Sequence, residues 1–518
     1  MSGACDPAPH HMQTNPVICC FRHGFLETIA MRRLYDHFAI HAHRWPRVML
    51  ALVALWTYAS PAQSQQNSLP ALIASDHAFD VPLSDAMRRI EQLEQTVFEL
   101  QQRQPAGLIE DDDTICFDAP VTEHPSHYPI YDTGWTLRPY DADKTPFELT
   151  IGLHNQFRYT GFSRDNDTSI DAAGNVRTIP NRNDFNVNRG RLVFSGYALD
   201  KDLGFYANID YSTVASSSIQ PLLTWISFRH SDAFTLYMGL GKVPGTWEWQ
   251  QTSRYTLGAD RTLATTFFRP SISAGMWGIG KLGDSLSYTV FVGNGLNTLT
   301  LRSADLDTNF VYSGLASWEP LGDFGVGFSD QEYHQELAIR IGHGLTQTRN
   351  DSTSSDQSGA EQTVVRLSDG TRLIEPNALA PGVTVNAFDV WLYTVHLGLK
   401  KQGYSFTSEV FMRWLRNIEG TGGAELESLF DNGFYVQGGA FVIPKKLELF
   451  ARGSAVTGNF GTGSEVAAGL NWHLFDERSA RLTLDVTDVR DSPAEQSRTG
   501  YVAGASGTLV RMQLWTFF

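Results

Sequence analysis

From Leu509 to Phe518 the chain alternates. Val510, Met512, Leu514, Thr516 and Phe518 fall on one side of an extended strand, while Arg511, Gln513, Trp515 and Phe517 fall on the other. A matching stretch begins at Phe147, where Phe147, Leu149, Ile151, Leu153, Phe157 and Tyr159 alternate with Glu148, Thr150, His154, Gln156 and Arg158. If the two pair, everything between them closes into a cylinder with an apolar outside, a polar inside and no free edge, the strand architecture that a bilayer permits.

The same period of two recurs between them. It predicts strands near 186–197, 203–211, 222–228, 234–243, 273–282, 285–292, 310–318, 336–345, 389–400, 404–416, 433–442, 447–455, 465–475 and 481–489. With the first and last stretches this makes about sixteen antiparallel strands. Long polar connections alternate with short turns, beginning with a long one. Only the join between 310–318 and 336–345 is longer than that rhythm predicts. The fold class expected is therefore an all-β transmembrane barrel over 147–518, its two ends on the side of the short turns.

Ahead of the barrel the periodicity changes. Arg44 and Arg47 precede an apolar run from Val48 to Tyr58 and then Ala59-Ser60-Pro61-Ala62, the layout of a secretory signal, so 1–62 reads as a leader cleaved after Ala62. The lack of pattern before it points to a true start at Met31 or Met49, and a short membrane anchor is the alternative reading. Leu83, Ala86, Ile90, Leu93, Val97 and Leu100 form a heptad seam, which predicts a periplasmic coiled-coil helix over 83–104 within a segment 63–104. Three heptads are marginal alone, so the helix belongs either to an oligomer held together by something larger or against its own barrel. Residues 105–146, rich in Pro, Asp and His, read as a solvated linker. Asp111 to Asp113 with Glu123, His124 and His127 match no metal-ligand spacing.

Composition narrows the function classes. No apolar stretch reaches the roughly 18 to 20 residues of a spanning helix. Aromatics make up 12% of the chain and glycines number 45, a mixture suited to a barrel with interfacial aromatic girdles. The formal charge of -16 argues against nucleic acid as a partner. Losing the leader removes five basic and three acidic residues and leaves about -18. Cys5, Cys19 and Cys20 lie in that leader, so Cys116 stands alone and no disulfide framework or cysteine metal site is expected. Neither His-Glu-x-x-His nor Gly-x-Ser-x-Gly occurs, so no catalytic residue and no cofactor is assigned. Residues 63–146 are too short for a receptor plug.

Taking the apolar phase as lipid-facing assigns Arg158, Arg189, Arg191, Arg229, Arg340, Lys400, Arg413, Arg452, Arg481 and Arg511 to the lumen, against Glu148, Asp210, Glu336, Glu409, Glu448, Glu465 and Asp485. These charges either pair across the wall or present a mild basic excess to solutes. Arg158, Arg189 and Arg191 cluster on the first two strands, and guanidinium suits oxyanion recognition.

Asn188-Arg189-Gly190-Arg191-Leu192 followed by Ser195-Gly196, then Gly241-Lys242-Val243-Pro244, Thr252-Ser253-Arg254-Tyr255 and Arg261-Thr262-Leu263, resemble the phosphate-selective porin family, porins O and P, over about 133–518. The resemblance implies a sixteen-stranded trimeric outer-membrane channel whose third loop, here 244–270, folds into the pore and places Lys242, Arg254 and Arg261 near the constriction. Those arginines either meet the solute or pin the loop to the wall. Trp247, Glu248 and Trp249 depart from the pattern by making the loop bulky and partly acidic, and the lumen lacks a dense basic ladder. The expected function is passive diffusion of small anions such as phosphate by a homotrimer in outer-membrane lipid. The alternatives are a weakly selective porin for small polar solutes and a structural barrel tethered through its coiled coil.

Overall fold

Strands with one apolar and one polar face leave backbone donors and acceptors open at both edges, and closing the sheet satisfies all of them. The computed structural model describes residues 126–518 apart from 132–133, 215–218, 300, 302–304, 352–363, 423–427 and 476–477, and within them the sheet closes. The leader, the heptad helix and most of the linker lie outside the described residues.

Two short strands come first, β1 (His127–Tyr131) and β2 (Trp135–Pro139). The wall then runs through β3 (Phe147–Arg164), β6 (Arg182–Ala198), β7 (Asp200–Tyr211), β8 (Gln220–Ser231), β9 (Phe234–Lys242), β10 (Ile272–Leu282), β11 (Leu286–Gly293) and β12 (Val311–Trp318). It continues through β13 (Ala338–Asn350), β14 (Thr384–Lys401), β15 (Tyr404–Thr421), β16 (Leu429–Ile443), β17 (Leu447–Gly458), β18 (Gly461–His473), β19 (Ala480–Arg490) and β20 (Gly507–Phe517). The small hairpin β4 (Thr168–Ile170) and β5 (Val176–Thr178) sits in the loop after β3.

Each wall strand pairs antiparallel with the next, and β20 returns to β3 with Gly507 opposite Arg164 and Phe517 opposite His154. Sixteen antiparallel strands thus form a closed barrel. Below the end of β20, β2 takes over the edge of β3, with Trp135 opposite Ile151, and β1 pairs with β2. This hairpin lies in the Pro-rich stretch, where Arg138 reaches the Glu148 carboxylate at 2.9 Å.

The alternation resolves into two faces. Phe157, Ile226, Met238, Met276, Val290, Ile341, Val410, Phe434, Leu449, Val486 and Met512 are exposed on the outside. Arg158, Arg189, Lys400, Glu409, Arg452, Glu465, Asp485 and Arg511 are buried inside. An apolar exterior around a charged interior inverts a soluble core and fits a lipid surround. Trp318, Tyr404 and Trp472 stand exposed at the rim of the short turns, at headgroup level for a spanning barrel.

The connections break their rhythm twice. Asn459 and Phe460 alone join β17 to β18, because Thr457 and Thr462 continue the ladder to the strand tips. The long join 319–337 is not a dangling turn. It sends Phe324 and Phe328 up into the lumen, where both pack on the Trp247 ring at 5.8 and 4.9 Å.

Candidate functional site

Between β9 and β10 the chain leaves the wall and enters the barrel. Pro244 and Gly245 make the turn: Ser313 on β12 donates to the Pro244 carbonyl at 2.7 Å and Thr394 on β14 to the Gly245 carbonyl at 2.6 Å. Gly245 has φ +115°, and a Cβ there would lie 2.1 Å from Thr346 Oγ1. A side chain at this position is strained and has no room. Gly245→Ala is therefore expected to cost about 1–3 kcal/mol and to lower the temperature at which the folded barrel loses its compact mobility on a gel.

Two short helices follow, α1 (Trp247–Gln250) and α2 (Leu263–Phe268), with a 3-10 turn at Ser253–Tyr255 between them. Helices this short are unstable alone, and the wall supplies what they lack. The Glu409 carboxylate on β15 accepts from Trp247 N at 2.6 Å and Glu248 N at 3.2 Å, at the positive end of α1. Lys242 Nζ donates to the Trp249, Gln250 and Gln251 carbonyls at 2.8, 3.3 and 2.8 Å, at its negative end. Glu465 on β18 accepts from Leu263 N at 3.0 Å, Ser454 Oγ from Ala264 N at 2.9 Å, and the Thr262 hydroxyl from Thr265 N. Glu248 Oε2 then accepts from the Thr262 hydroxyl at 2.7 Å and ties the helices together. Burial pushes its carboxyl above the usual range, although Thr265, Thr262 and Arg452 oppose that.

The middle of the loop is clamped by the first two strands. Arg158 Nη2 donates to Asp260 Oδ2 at 2.9 Å and to the Ala259 carbonyl at 2.7 Å, and Arg189 meets both Asp260 oxygens at 2.7 and 3.2 Å. Burial alone would raise the Asp260 carboxyl, but Arg189 and Arg158 hold it well below the usual range. Farther round the wall, Arg452 on β17 donates to the Asp260 carbonyl at 2.6 Å, and Asp485 on β19 accepts from Ala259 N at 2.8 Å. The last loop packs here as well, with Arg498 paired to Asp210 and Tyr501 donating to Glu465.

The seven singled-out basic residues thus fall into different places. Arg158 and Arg189 share Asp260. Arg191, beside them in sequence, instead pairs with Asp210 at 2.8 Å and stays half-buried. Arg229 is exposed next to the turn after β8 and pairs with Asp232 at 2.5 Å, apart from the others. Lys242 caps α1, and Arg261 is buried over the Trp249 ring at 4.7 Å while donating to the Gln251 carbonyl at 3.1 Å.

Arg254 differs from all of these. It sits at the loop tip, half-buried, over the rings of Tyr255 and Phe517 at 4.5 and 4.7 Å, and donates to the Tyr255 hydroxyl. Among the described residues no carboxylate lies within ion-pair distance of it, and its buried Nε has no acceptor. Arg254 and Arg191 both lie within electrostatic reach of His154 on β3 and of Tyr206 on β7. The loop touches strands round much of the wall, from Arg189 on β6, Leu222 on β8 and Lys242 on β9 to Glu409 on β15, Glu465 on β18 and Arg158 on β3.

Among the described residues one group has metal-like spacing, Asp330, Glu332 and His334. Its atoms are already engaged: Glu332 pairs with Arg478 at 2.7 Å and Lys400 at 3.7 Å, and Asp330 accepts from Gly403 N at 2.8 Å and pairs with His334. Although burial opposes it, Arg478 and Lys400 bring the Glu332 carboxyl down to about 2. The cluster locks the 319–337 connection to the turn after β14.

Asp260, Arg498 and Tyr501 escape sequence reasoning because they lie in loops, where no period marks an inward position. His154 was legible as part of the polar phase of β3.

A search of curated proteins found no match to this sequence. Among solved structures the chain is similar to the trimer form of OmpT from Vibrio cholerae, at 13% identity and a TM-score of 0.45, over 71% of this chain and 99% of that one. It is similar to an anion-selective porin from Comamonas acidovorans at 12% identity and a TM-score of 0.46, over 71% and 99%. It is similar also to the outer membrane channel DcaP of Acinetobacter baumannii at 8% identity and a TM-score of 0.43, over 72% and 97%. The family model described as phosphate-selective porin O and P matches residues 157–517, from within β3 to the last residue of β20. A match over the whole circumference of the barrel leaves one assignment: the chain belongs to the phosphate-selective porin O and P family and is an outer-membrane porin channel.

Proposed function

We propose that this porin passes small anions, phosphate among them, by passive diffusion through the lumen that the inward loop narrows, with Arg254 as the group that a passing anion meets. One observation carries the reading: Arg254 stands at the loop tip without a carboxylate partner among the described residues, close to Arg191 and His154. A cation in a narrowed, partly dewatered throat acts on an anion more strongly than one in open water. The family's name supports the solute class, and the heptad seam from Leu83 to Leu100 supports a homotrimer with its helix on the periplasmic side.

A second reading, a weakly selective porin for small polar solutes, is favoured by the pairing of the other arginines. Arg158 and Arg189 share Asp260 and Arg191 pairs with Asp210, so each has a carboxylate beside it that weakens its field on a passing solute. Purified protein in planar bilayers separates the two. The reversal potential under a potassium chloride gradient should report excess anion permeability, and phosphate should reduce the chloride current. A potential near zero with no effect of phosphate would select the second reading.

A further inference from the structure

Inward positions of a water-filled barrel are ordinarily polar, since water is their neighbour. On five consecutive strands of this one they are aromatic: Tyr206 on β7, Trp225 on β8, Tyr237 on β9, Trp277 on β10 and Phe291 on β11. Their ring centroids follow one another at 5.2, 4.9, 5.5 and 5.8 Å. The wall makes room for them, as at Gly241, where a Cβ would come within 2.8 Å of the Trp277 ring. Trp277 and Phe291 are buried with Val243 and Val311, so packing accounts for those two, and Leu296, Trp225 and Tyr237 pack against that cluster partly buried. Tyr206, Trp225 and Tyr237 are only half-buried, and the contact of Trp225 and Tyr237 with the cluster does not cover the rest of their ring surface on the lumen side.

At the Tyr206 end of this strip Arg191, on the neighbouring strand β6, and Arg254 lie within electrostatic reach of the ring hydroxyl. Arg191 pairs with Asp210, which Arg498 shares, whereas Arg254 has no carboxylate within ion-pair distance among the described residues. We infer that the strip and Arg254 together form a transit site for aromatic monocarboxylates, the carboxylate on the guanidinium and the ring edge-to-face against Trp225 or Tyr237. This rests on the porin reading and narrows it. Arg254 answers the carboxylate and the strip answers the ring, a contact from which a phosphate gains nothing.

The test compares block of the chloride current by benzoate, acetate and cyclohexanecarboxylate, all monoanions, in planar bilayers. Benzoate should block about fivefold more tightly than acetate, the worth of one good ring contact, and more tightly than cyclohexanecarboxylate. The advantage should shrink to near unity in Trp225→Leu combined with Tyr237→Leu. The wild-type comparison decides the matter even if the double variant fails to fold. Equal block by benzoate and either other anion, or a preference that survives the double variant, overturns the aromatic site and leaves the porin reading standing. A barrel that conducts no chloride at all would overturn the porin reading, and this inference with it.

Discussion

Asp260→Asn is expected to unseat the inward loop. The Asp260 carboxylate is fully buried and is shared by two buried guanidiniums, Arg158 and Arg189. Neutralising it leaves both cations without their partner in a place that water does not reach. Removing one member of a buried pair costs about 3–5 kcal/mol, and a loop held through a few such contacts relieves that cost by moving. Single-channel conductance should rise and become noisier, and the folded barrel should melt at a lower temperature. The pH dependence has a definite sign. A carboxyl held below its ordinary value contributes stability above the usual aspartate range and loses it as pH falls towards the folded value, so the wild-type loop should stay seated from neutral pH down to about pH 4. The variant should already behave at neutral pH as the wild type does in stronger acid. Unchanged conductance and melting would show that Asp260 does not hold the loop.

Arg254→Glu should turn the channel towards cations. At about 7 Å and an effective dielectric of roughly 40, one unit charge acts on a passing ion with about 1 kcal/mol. Reversal changes the local charge by two units, so anion permeability should fall by roughly thirtyfold at low salt while cation permeability moves the other way, both by less as salt screens the site. Arg229→Glu is the matched control. Its side chain is exposed beside the turn after β8 and is already paired with Asp232, so the same charge change there should barely move the reversal potential. If the two variants shift it equally, only net charge matters and Arg254 has no special place in the path.

The two variants also show which parts of the site could be read from residue order. Arg158, Arg189 and Arg191 announce themselves as a group because a strand puts alternate residues on one face. Their partners do not: Asp260 lies in the inward loop and Asp210 on the next strand, and whether a given arginine is neutralised depends on where a loop comes to rest. Glu409, Glu465 and Lys242 carry the same lesson. Each reads as a lumen charge by phase or by resemblance, yet each ends a loop helix, because backbone ends of short helices need partners that their own turns cannot supply. The long connection at 319–337 looks like an irregularity in the rhythm until Phe324 and Phe328 are seen beneath Trp247.

What the amino-acid order determined by itself was the wall. A period of two, repeated between Phe147 and Phe518, settles which side chains meet lipid and which turn inward, since that choice depends only on a residue's place along its own strand. The tertiary structure alone decided the interior: how far the loop from Pro244 to Pro270 reaches, which arginines it pairs through Asp260, and that Arg254 lies within electrostatic reach of Tyr206 with no carboxylate within ion-pair distance among the described residues. Those outcomes depend on residues hundreds of positions apart meeting across a closed cylinder, and no local period encodes such meetings.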